Sequence, residues 1–158
     1  MSKVTVLGVG QWGSTMAQVL VDAGNHVLIW GRDQRVVDEI NQRHTNSKYL
    51  DSNVLPTGLR ATSDLHEAFD YSSIYVLSIP AQTLRENLNT WKPLASQNAL
   101  FISTLKGIEL SSLQRMSQII EEVMQTYNVA IITGPNLANE LILRQPACAV
   151  VAAHTMIN

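Results

Sequence analysis

Residues 4–13 read VTVLGVGQWG, a short apolar run that passes directly into the glycine spacing G-x-G-x-x-G. The run is typical of a buried strand, and an amphipathic helix pattern begins immediately after it. In this context Gly8 permits a tight turn, Gly10 lets the backbone approach a pyrophosphate, and Gly13 lets the helix pack closely on the strand. Unpaired N–H groups at the helix start supply donors for phosphate oxygens. The segment therefore predicts a strand–turn–helix unit that binds a dinucleotide, with a glycine turn that holds no ligand as the alternative.

The strand-like pattern recurs along the 158-residue chain in alternation with helix-like stretches. Further apolar runs rich in β-branched residues occupy 27–30, 74–77, 99–102, 129–132 and 147–152. Amphipathic stretches predict helices at 12–23, 33–43, 81–91, 111–126 and 135–143. The polar segment 45–63 is predicted to be a loop with at most a short strand. This alternation predicts an α/β fold, a Rossmann-like doubly wound and mostly parallel sheet with helices on both faces.

Composition and charge narrow the class of protein. The formal net charge is −2, from 11 basic and 13 acidic residues, which gives no broad positive field for nucleic acid. The single cysteine, Cys148, excludes an internal disulfide, and its apolar run predicts inert core. The histidines show no metal-ligand spacing, so no metal site is expected at His26, His44, His66 or His154. The N-terminus has the pattern of neither a signal peptide nor a spanning helix, and we expect a cytoplasmic protein that is not embedded in a membrane.

The end of the second predicted strand indicates which dinucleotide is bound. An acidic residue there would hydrogen-bond the ribose 2′-hydroxyl of NAD, whereas an arginine accommodates the 2′-phosphate of NADP. Here Gly31 leaves room for a phosphate, and Arg32 follows it as a bidentate donor. Asp33 lies about 20 residues beyond the glycine loop, where a ribose ligand is expected, but it also suits the N-cap of the next helix. We favour the cap, so NADP(H) is the predicted cofactor ahead of NAD(H).

Polar residues also follow two later strands, at the edge of the sheet where doubly wound folds bind ligands. Lys106 follows the run 99–102 and either contacts a phosphate or carbonyl group or is a solvated loop lysine. After the run 129–132, Pro135 suits the first position of a helix, and Gly134 lets a ligand approach the backbone. With the side-chain amide of Asn136, this helix start is predicted to bind an anion, and a helix cap without a ligand is the alternative.

Six segments, in this order and spacing, resemble the N-terminal half of the bacterial-type NAD(P)-dependent sn-glycerol-3-phosphate dehydrogenases. They read GVGQWG at 8–13, WGR at 30–32, NSKYL at 46–50, SIPAQ at 78–82, LKGIE at 105–109 and GPNLA at 134–138. The resemblance covers the whole chain. The combination of the glycine loop with Leu-Lys-Gly and Gly-Pro-x-x-Ala is more specific than the glycine loop alone.

The resemblance implies a role for each matching residue. Cofactor contacts would come from Gly8, Gly10, Gln11, Trp12, Gly13, Arg32, Asp33, Tyr49, Lys106 and Ala138. Substrate contacts would come from Lys106, Gly134 and Asn136. The implied reaction is hydride transfer between NAD(P)H and dihydroxyacetone phosphate, which gives sn-glycerol 3-phosphate for glycerophospholipid synthesis. A homodimer is the assembly considered for the full-length enzyme.

The general acid/base that the resemblance implies is a lysine just beyond the first domain, and no lysine follows Lys106 in the sequence. We therefore expect residues 1–158 to be an N-terminal NAD(P)-binding domain without a catalytic residue and without the family's helical C-terminal domain. We expect such a chain to bind nucleotide but to turn over little or nothing. Two alternatives stay open: another two-domain dehydrogenase of the 3-hydroxyacid or ketopantoate reductase kind, and a module that senses NADP(H) without catalysis.

Overall fold

The computed structural model describes residues 1–153, and within them one seven-stranded sheet forms the centre of the fold. Its strands are β1 (Lys3–Leu7), β2 (His26–Trp30), β3 (Arg60–Thr62), β4 (Ile74–Leu77), β5 (Leu100–Ser103), β6 (Val129–Thr133) and β7 (Val150–Ala153). They are arranged in the order β3-β2-β1-β4-β5-β6-β7. The first six strands run parallel, and β7 pairs antiparallel with β6. The predicted Rossmann-like, mostly parallel sheet is confirmed.

Helices cover both faces of the sheet. They are α1 (Gln11–Asp22), α2 (Gln34–Arg43), α3 (Ser47–Leu50), α4 (Leu65–Tyr71), α5 (Leu84–Trp91), α6 (Met116–Met124) and α7 (Ala138–Ile142). Short 3₁₀ turns at Ala81–Thr83 and Lys92–Leu94 flank α5. The helix predicted at 111–126 is shorter than expected, because residues 104–115 form a loop between β5 and α6.

The sheet separates two apolar cores, because successive side chains of a strand point to opposite faces. On β4, Tyr75 and Leu77 enter the core that α4, α5 and α6 cover, whereas Val76 enters the core beneath α1, α2, α3 and α7. Aromatic rings fill much of the first core, where the ring centres of Tyr75 and Phe101 lie 5.4 Å apart. Burial of both faces explains why these strands are apolar at successive positions.

The segment between β2 and β4 contains more structure than its sequence pattern predicts. The short strand expected within 45–63 is β3, but the helical turn α3 also lies there. The sequence pattern predicts no helix at 65–71, and this is wrong, because α4 occupies the range. Asp64 caps α4 by accepting hydrogen bonds from the backbone N–H groups of His66 and Glu67. This cap was the available signal, because an aspartate before an apolar position is typical of a helix start.

Three predictions near the end of the described residues are wrong. The helix predicted at 135–143 begins only at Ala138, because the backbone turns between Gly134 and Asn136 first, so Pro135 does not open a helix. The run 147–152 was predicted to be buried on both faces, but β7 is an edge strand whose residues are all exposed. Cys148, expected in the core, lies just before β7 and is exposed as well. His154 and the predicted domain end at 158 lie outside the described residues.

The strand order places a crevice at the carboxyl ends of β1 and β4. The chain winds outward in one direction from β1 and in the other from β4, so the loops that follow these neighbouring strands diverge. No helix in residues 1–153 has the length and hydropathy to span a bilayer. The same residues contain no group of three or more His, Cys, Asp or Glu side chains suited to a metal ion.

Candidate functional site

Two glycines fix the turn between β1 and α1. Gly8 has φ +125°, and a Cβ atom there would lie 2.2 Å from the Ser78 carbonyl oxygen, just beyond β4. A Cβ at Gly13 would lie 1.9 Å from the carbonyl oxygen of Gly8. Both contacts are with backbone atoms, which no side-chain rotation can move away. These are the tight turn and the close helix packing that the glycine spacing predicts.

Gly10 differs from its two neighbours in the motif. It is the N-cap of α1 with φ −64°, and no side chain caps this helix end. A Cβ at this position would meet no atom within 4 Å. The first N–H groups of α1 have no helical partner, and the space beside Gly10 is open at this positive end of the helix dipole. This geometry suits the close approach of a pyrophosphate.

A cleft of about 430 Å³ opens next to this loop, at the carboxyl ends of β1, β4, β5 and β6. Its lining includes five residues that the sequence analysis singled out, Gln11, Trp12, Lys106, Asn136 and Ala138. They come from three segments that are far apart in the sequence and meet only because the strands are parallel. The structure does not bring Arg32, Asp33 or Tyr49 into this lining, because they follow β2, on the far side of β1.

Two buried polar atoms at the cleft have no hydrogen-bond partner among the described residues. They are Nε1 of Trp12 and Oδ1 of Asn136, whose residue is only 7% exposed. An unsatisfied buried polar group costs about 1–3 kcal/mol, so such atoms are rare unless a ligand or water pairs with them. The Lys106 Nζ atom lies 5.9 Å from the centre of the Trp12 ring, which places a positive charge at the same opening. The cleft therefore combines a positive charge at its opening with two lining residues whose buried polar atoms, one donor and one acceptor, have no partner in residues 1–153.

The three residues after β2 form a second part of the site. A Cβ at Gly31 would lie 2.3 Å from the Val9 side chain, so a larger residue there requires that side chain to move. The prediction that Gly31 leaves room for a phosphate is wrong on this side of the residue, because Val9 fills the space. Asp33 accepts a hydrogen bond from the Arg35 backbone N–H at 3.2 Å and caps α2, which confirms the predicted cap. Its carboxylate also pairs with Lys48 Nζ at 3.1 Å. Arg32 is exposed and has no ion pair within residues 1–153.

The pairing of Asp33 has a testable consequence for stability. Arg35 and Lys48, which hydrogen-bond the carboxylate, lower its pKa from 3.8 to about 2. A group whose pKa is lower in the folded chain stabilises it above the unfolded value, and this contribution disappears as the pH falls toward 2. We expect wild type to have a higher Tm than Asp33→Asn at pH 5, and the difference to shrink at pH 2. A difference that is the same at both pH values would contradict the pairing.

Asn46 is a residue near the site that sequence reasoning did not assign to it. It is completely buried, and its Nδ2 donates to the Val9 carbonyl at 2.9 Å and to Ser14 Oγ at 2.8 Å. It thereby ties the turn that carries Tyr49 to the underside of the glycine loop. Tyr49 itself is 37% exposed. An asparagine in a polar stretch gives no local signal for such a contact, since its partners lie more than thirty residues away.

Comparison with known proteins identifies the family. Residues 3–158 match the family described as "NAD-dependent glycerol-3-phosphate dehydrogenase N-terminus". The chain belongs to this family. It is 46% identical over 158 residues to a glycerol-3-phosphate dehydrogenase [NAD(P)+] of Corynebacterium jeikeium, with 99% of this chain and 48% of the relative covered. A second such enzyme, from Mycobacterium tuberculosis H37Rv, is 46% identical over 153 residues, with 96% of this chain and 46% of the relative covered.

A solved structure of a glycerol-3-phosphate dehydrogenase has the same fold as this chain. The glycerol-3-phosphate dehydrogenase of Saccharomyces cerevisiae superposes with a TM-score of 0.88 at 31% identity, with 98% of this chain and 48% of that chain covered. The chain thus spans about half the length of the relatives that it matches. The family match decides against the 3-hydroxyacid and ketopantoate reductase alternative.

Proposed function

We propose that residues 1–158 form the coenzyme-binding domain of a glycerol-3-phosphate dehydrogenase that uses NADP(H) ahead of NAD(H). The proposal rests on one observation, that Trp12, Lys106 and Asn136 line the same cleft beside the glycine loop. Two of these side chains bring buried polar atoms without partners, and the third brings a positive charge. A glycine turn that served packing alone would need none of these features.

The coenzyme fits the two parts of the site. Its pyrophosphate would lie over Gly10, Gln11 and Trp12, where α1 presents free N–H groups, and Gly8 and Gly13 shape the turn beneath it. The adenosine ribose would then extend toward the end of β2. There Arg32 is free to pair with a 2′-phosphate, while Asp33 is already occupied by the helix cap and by Lys48. Tyr49 and Ala138 would lie beside the coenzyme, at opposite ends of the site.

The substrate, dihydroxyacetone phosphate or sn-glycerol 3-phosphate, would occupy the other end of the cleft, near Gly134, Asn136 and Lys106. The nicotinamide supplies the hydride when it is bound. The Lys106 ammonium would stabilise negative charge on the carbonyl oxygen as an alkoxide develops, because a fixed cation in a cleft acts most strongly on newly formed charge. The Oδ1 atom of Asn136, which has no partner in residues 1–153, can accept a hydrogen bond from a substrate hydroxyl.

The proposal leaves the general acid/base outside this chain. The curated relatives are about twice as long, and we place the acid/base lysine in the part of them that this chain does not cover. The reduction of dihydroxyacetone phosphate for glycerophospholipid synthesis, a cytoplasmic location and a homodimeric enzyme belong to the same proposal. An NADP(H)-sensing module is the competing function, and it would bind the coenzyme without reducing any substrate.

The preference for NADP(H) is tested at Arg32. We expect Arg32→Ala to weaken NADPH binding about tenfold, since each charge-assisted phosphate contact contributes roughly 1.5–3 kcal/mol. NADH lacks the 2′-phosphate, so its affinity should change less than about twofold by the same reasoning. Arg43→Ala, at the other end of α2, is the matched control and should affect neither coenzyme. Equal losses for NADPH and NADH in Arg32→Ala would contradict the assignment.

The proposed activity is tested in the protein made from the complete open reading frame that encodes this chain. We expect it to oxidise NADPH in the presence of dihydroxyacetone phosphate, and Lys106→Ala to lower kcat/KM about a hundredfold, as removal of one charge-stabilising donor does. Lys92→Ala, on a 3₁₀ turn outside the cleft lining, is the control and should retain wild-type activity. NADPH binding without reduction of the substrate would favour the sensing module. Robust reduction by the 158-residue chain alone would contradict our placement of the general acid/base.

A further inference from the structure

We propose that Gln82 and Arg85 are positioning residues for Lys106, because they clamp the loop 104–115 against the start of α5 and so hold Lys106 beside Trp12. This inference rests on the proposed function, in which Lys106 contacts coenzyme and substrate. Neither residue lines the cleft. Their effect on the site therefore has to pass through the loop that carries Lys106.

Gln82 holds the backbone of this loop with both atoms of its side-chain amide. Its Nε2 donates to the Ile108 carbonyl at 2.8 Å, and its Oε1 accepts from the Leu110 N–H at 3.0 Å. The two hydrogen bonds hold the residues before and after Glu109, in the way that the backbone of a neighbouring strand pairs with both groups. An alanine at position 82 would release both of these backbone groups.

Arg85 holds the same loop through the side chain of Glu109. Its Nε lies 2.9 Å from Glu109 Oε1 and its Nη2 lies 3.0 Å from Oε2, which is a bidentate pair. The remaining guanidinium donors bond Gln114 Oε1 at 2.6 Å and Glu122 Oε1 at 2.8 Å. Glu109 also accepts from Ser112. Arg85 thus joins α5, the loop and α6.

The pair differs from the other ion pairs of the described residues in its burial. The side chains of Arg85 and Glu109 are 30% and 9% exposed, whereas Arg60 and Glu67 are 65% and 44% exposed. Since the Arg85 guanidinium bonds the Glu109 carboxylate, it lowers the pKa of that carboxyl below its ordinary value. The pair therefore stays ionised at neutral pH.

Lys106 depends on this clamp because its own side chain is weakly held. Within residues 1–153 its ammonium group contacts the Trp12 ring and makes no hydrogen bond or ion pair, and the residue is exposed. Its backbone is fixed on one side by Thr104, whose N–H and Oγ1 donate to the Leu77 carbonyl at 3.2 and 2.8 Å. On the other side the chain turns at Gly107, with φ +107°, and then reaches the residues that Gln82 holds. Without the clamp, the loop keeps the Thr104 bonds and its internal bridge between Ile108 and Arg115, but it loses the bonds that hold it against the start of α5.

Two measurements on the 158-residue chain test the clamp. The first is residue-resolved amide hydrogen exchange by NMR, in which we expect Gln82→Ala and Arg85→Ala to speed exchange at Leu110 and Glu109 at least about tenfold. The second is ¹⁹F NMR of the chain labelled with 5-fluorotryptophan, which gives one resonance for each of the three tryptophans. We expect Arg85→Ala to shift the Trp12 resonance in the direction that Lys106→Ala shifts it. Arg85→Lys should restore part of both effects, because it keeps one charged donor.

Arg60→Ala, which removes an exposed ion pair far from the loop, is the matched control and should leave both readouts at wild-type values. If the role of Arg85 were stability alone, exchange would also speed up in β1 and β4, and the Trp12 resonance of the folded chain would not move. Unchanged loop exchange and an unmoved Trp12 resonance in both Gln82→Ala and Arg85→Ala would overturn the inference. Should Arg85→Ala not fold, Gln82→Ala and Arg85→Lys decide it.

Titration of the same samples with NADPH separates this inference from the proposed function. Loop effects in the variants, together with a wild-type chain that fails to bind NADPH, would support the clamp and contradict the function. Suppose instead that wild type binds NADPH and that loop exchange and the Trp12 resonance of the variants match those of wild type. This result would overturn the clamp and leave the proposed function supported. In the protein from the complete reading frame, we expect Gln82→Ala to lower kcat/KM for dihydroxyacetone phosphate about tenfold and Arg60→Ala to leave it unchanged.

Discussion

Gly10→Ala should abolish most nucleotide binding while the chain keeps its fold. A Cβ at this position meets no protein atom within 4 Å, and φ −64° is accessible to alanine, so the free energy of unfolding should change by less than about 1 kcal/mol. The methyl group would instead occupy the space through which a pyrophosphate approaches the backbone. Overpacking of this size costs about 1–3 kcal/mol, which corresponds to roughly 5- to 150-fold weaker binding. Urea unfolding and titration with NADPH measure the two quantities separately.

Gly58→Ala is the matched control for this experiment. A Cβ at Gly58 would make an ordinary contact at 3.7 Å with the Val21 side chain, and the residue lies outside the cleft lining. Neither stability nor affinity should therefore change. If Gly10→Ala bound NADPH as tightly as wild type does, the pyrophosphate could not lie over the glycine loop.

Gly13→Ala should have the opposite profile and lower stability severely. The added Cβ would lie 1.9 Å from the Gly8 carbonyl oxygen and 3.2 Å from the Ser78 Cβ. The first of these atoms is backbone, so relief requires α1 to move away from the β1 turn. We expect a loss of at least about 3 kcal/mol in the free energy of unfolding, at the upper end for overpacked sites, and a chain that is partly unfolded at 37 °C.

Urea denaturation followed by circular dichroism measures this loss. The Gly58→Ala midpoint should coincide with that of wild type, while the Gly13→Ala midpoint should fall to a much lower urea concentration. A Gly13→Ala variant within about 0.5 kcal/mol of wild type, the range of ordinary surface substitutions, would show that the close packing of α1 on the glycine turn is not needed for stability.

The sequence was sufficient to predict the architecture, because the pattern of short apolar runs and amphipathic stretches is local. The glycine spacing also predicts a specific turn. In the structure, a Cβ at Gly8 or Gly13 would clash with backbone atoms, whereas the space beside Gly10 is open. The run 147–152 shows the limit of this reasoning. Apolar composition predicts burial, but β7 has one neighbouring strand, and in the described residues its side chains stay exposed.

The site was predictable where a motif lies directly at the end of a strand. Trp12, Lys106 and Asn136 meet as expected, since parallel strands bring their carboxyl ends to one edge. The start of α7 and the roles of Asn46 and Gln82 were not predictable. They depend on contacts between residues 26 or more positions apart in the sequence or on the exact path of a turn, and neither leaves a local pattern.

For Asp33, the structure shows one of the two roles that the sequence left open, the helix cap. Its position fits both a ribose ligand and a helix cap. The hydrogen bond to the Arg35 N–H and the ion pair with Lys48 use the carboxylate for α2 and the following turn. In the proposed function, the exposed Arg32 is the group at the end of β2 that binds the additional phosphate of NADP(H).

Titration calorimetry of the 158-residue chain with NADPH and with NADH, under one set of conditions, tests the central claim most directly. We expect one saturable site for each coenzyme, with NADPH about tenfold tighter, as one additional charge-assisted phosphate contact provides. Saturable binding to wild type that is lost in Gly10→Ala would place the coenzyme on the glycine loop. The absence of saturable heat for both coenzymes, from a chain that circular dichroism shows to be folded, would contradict the account.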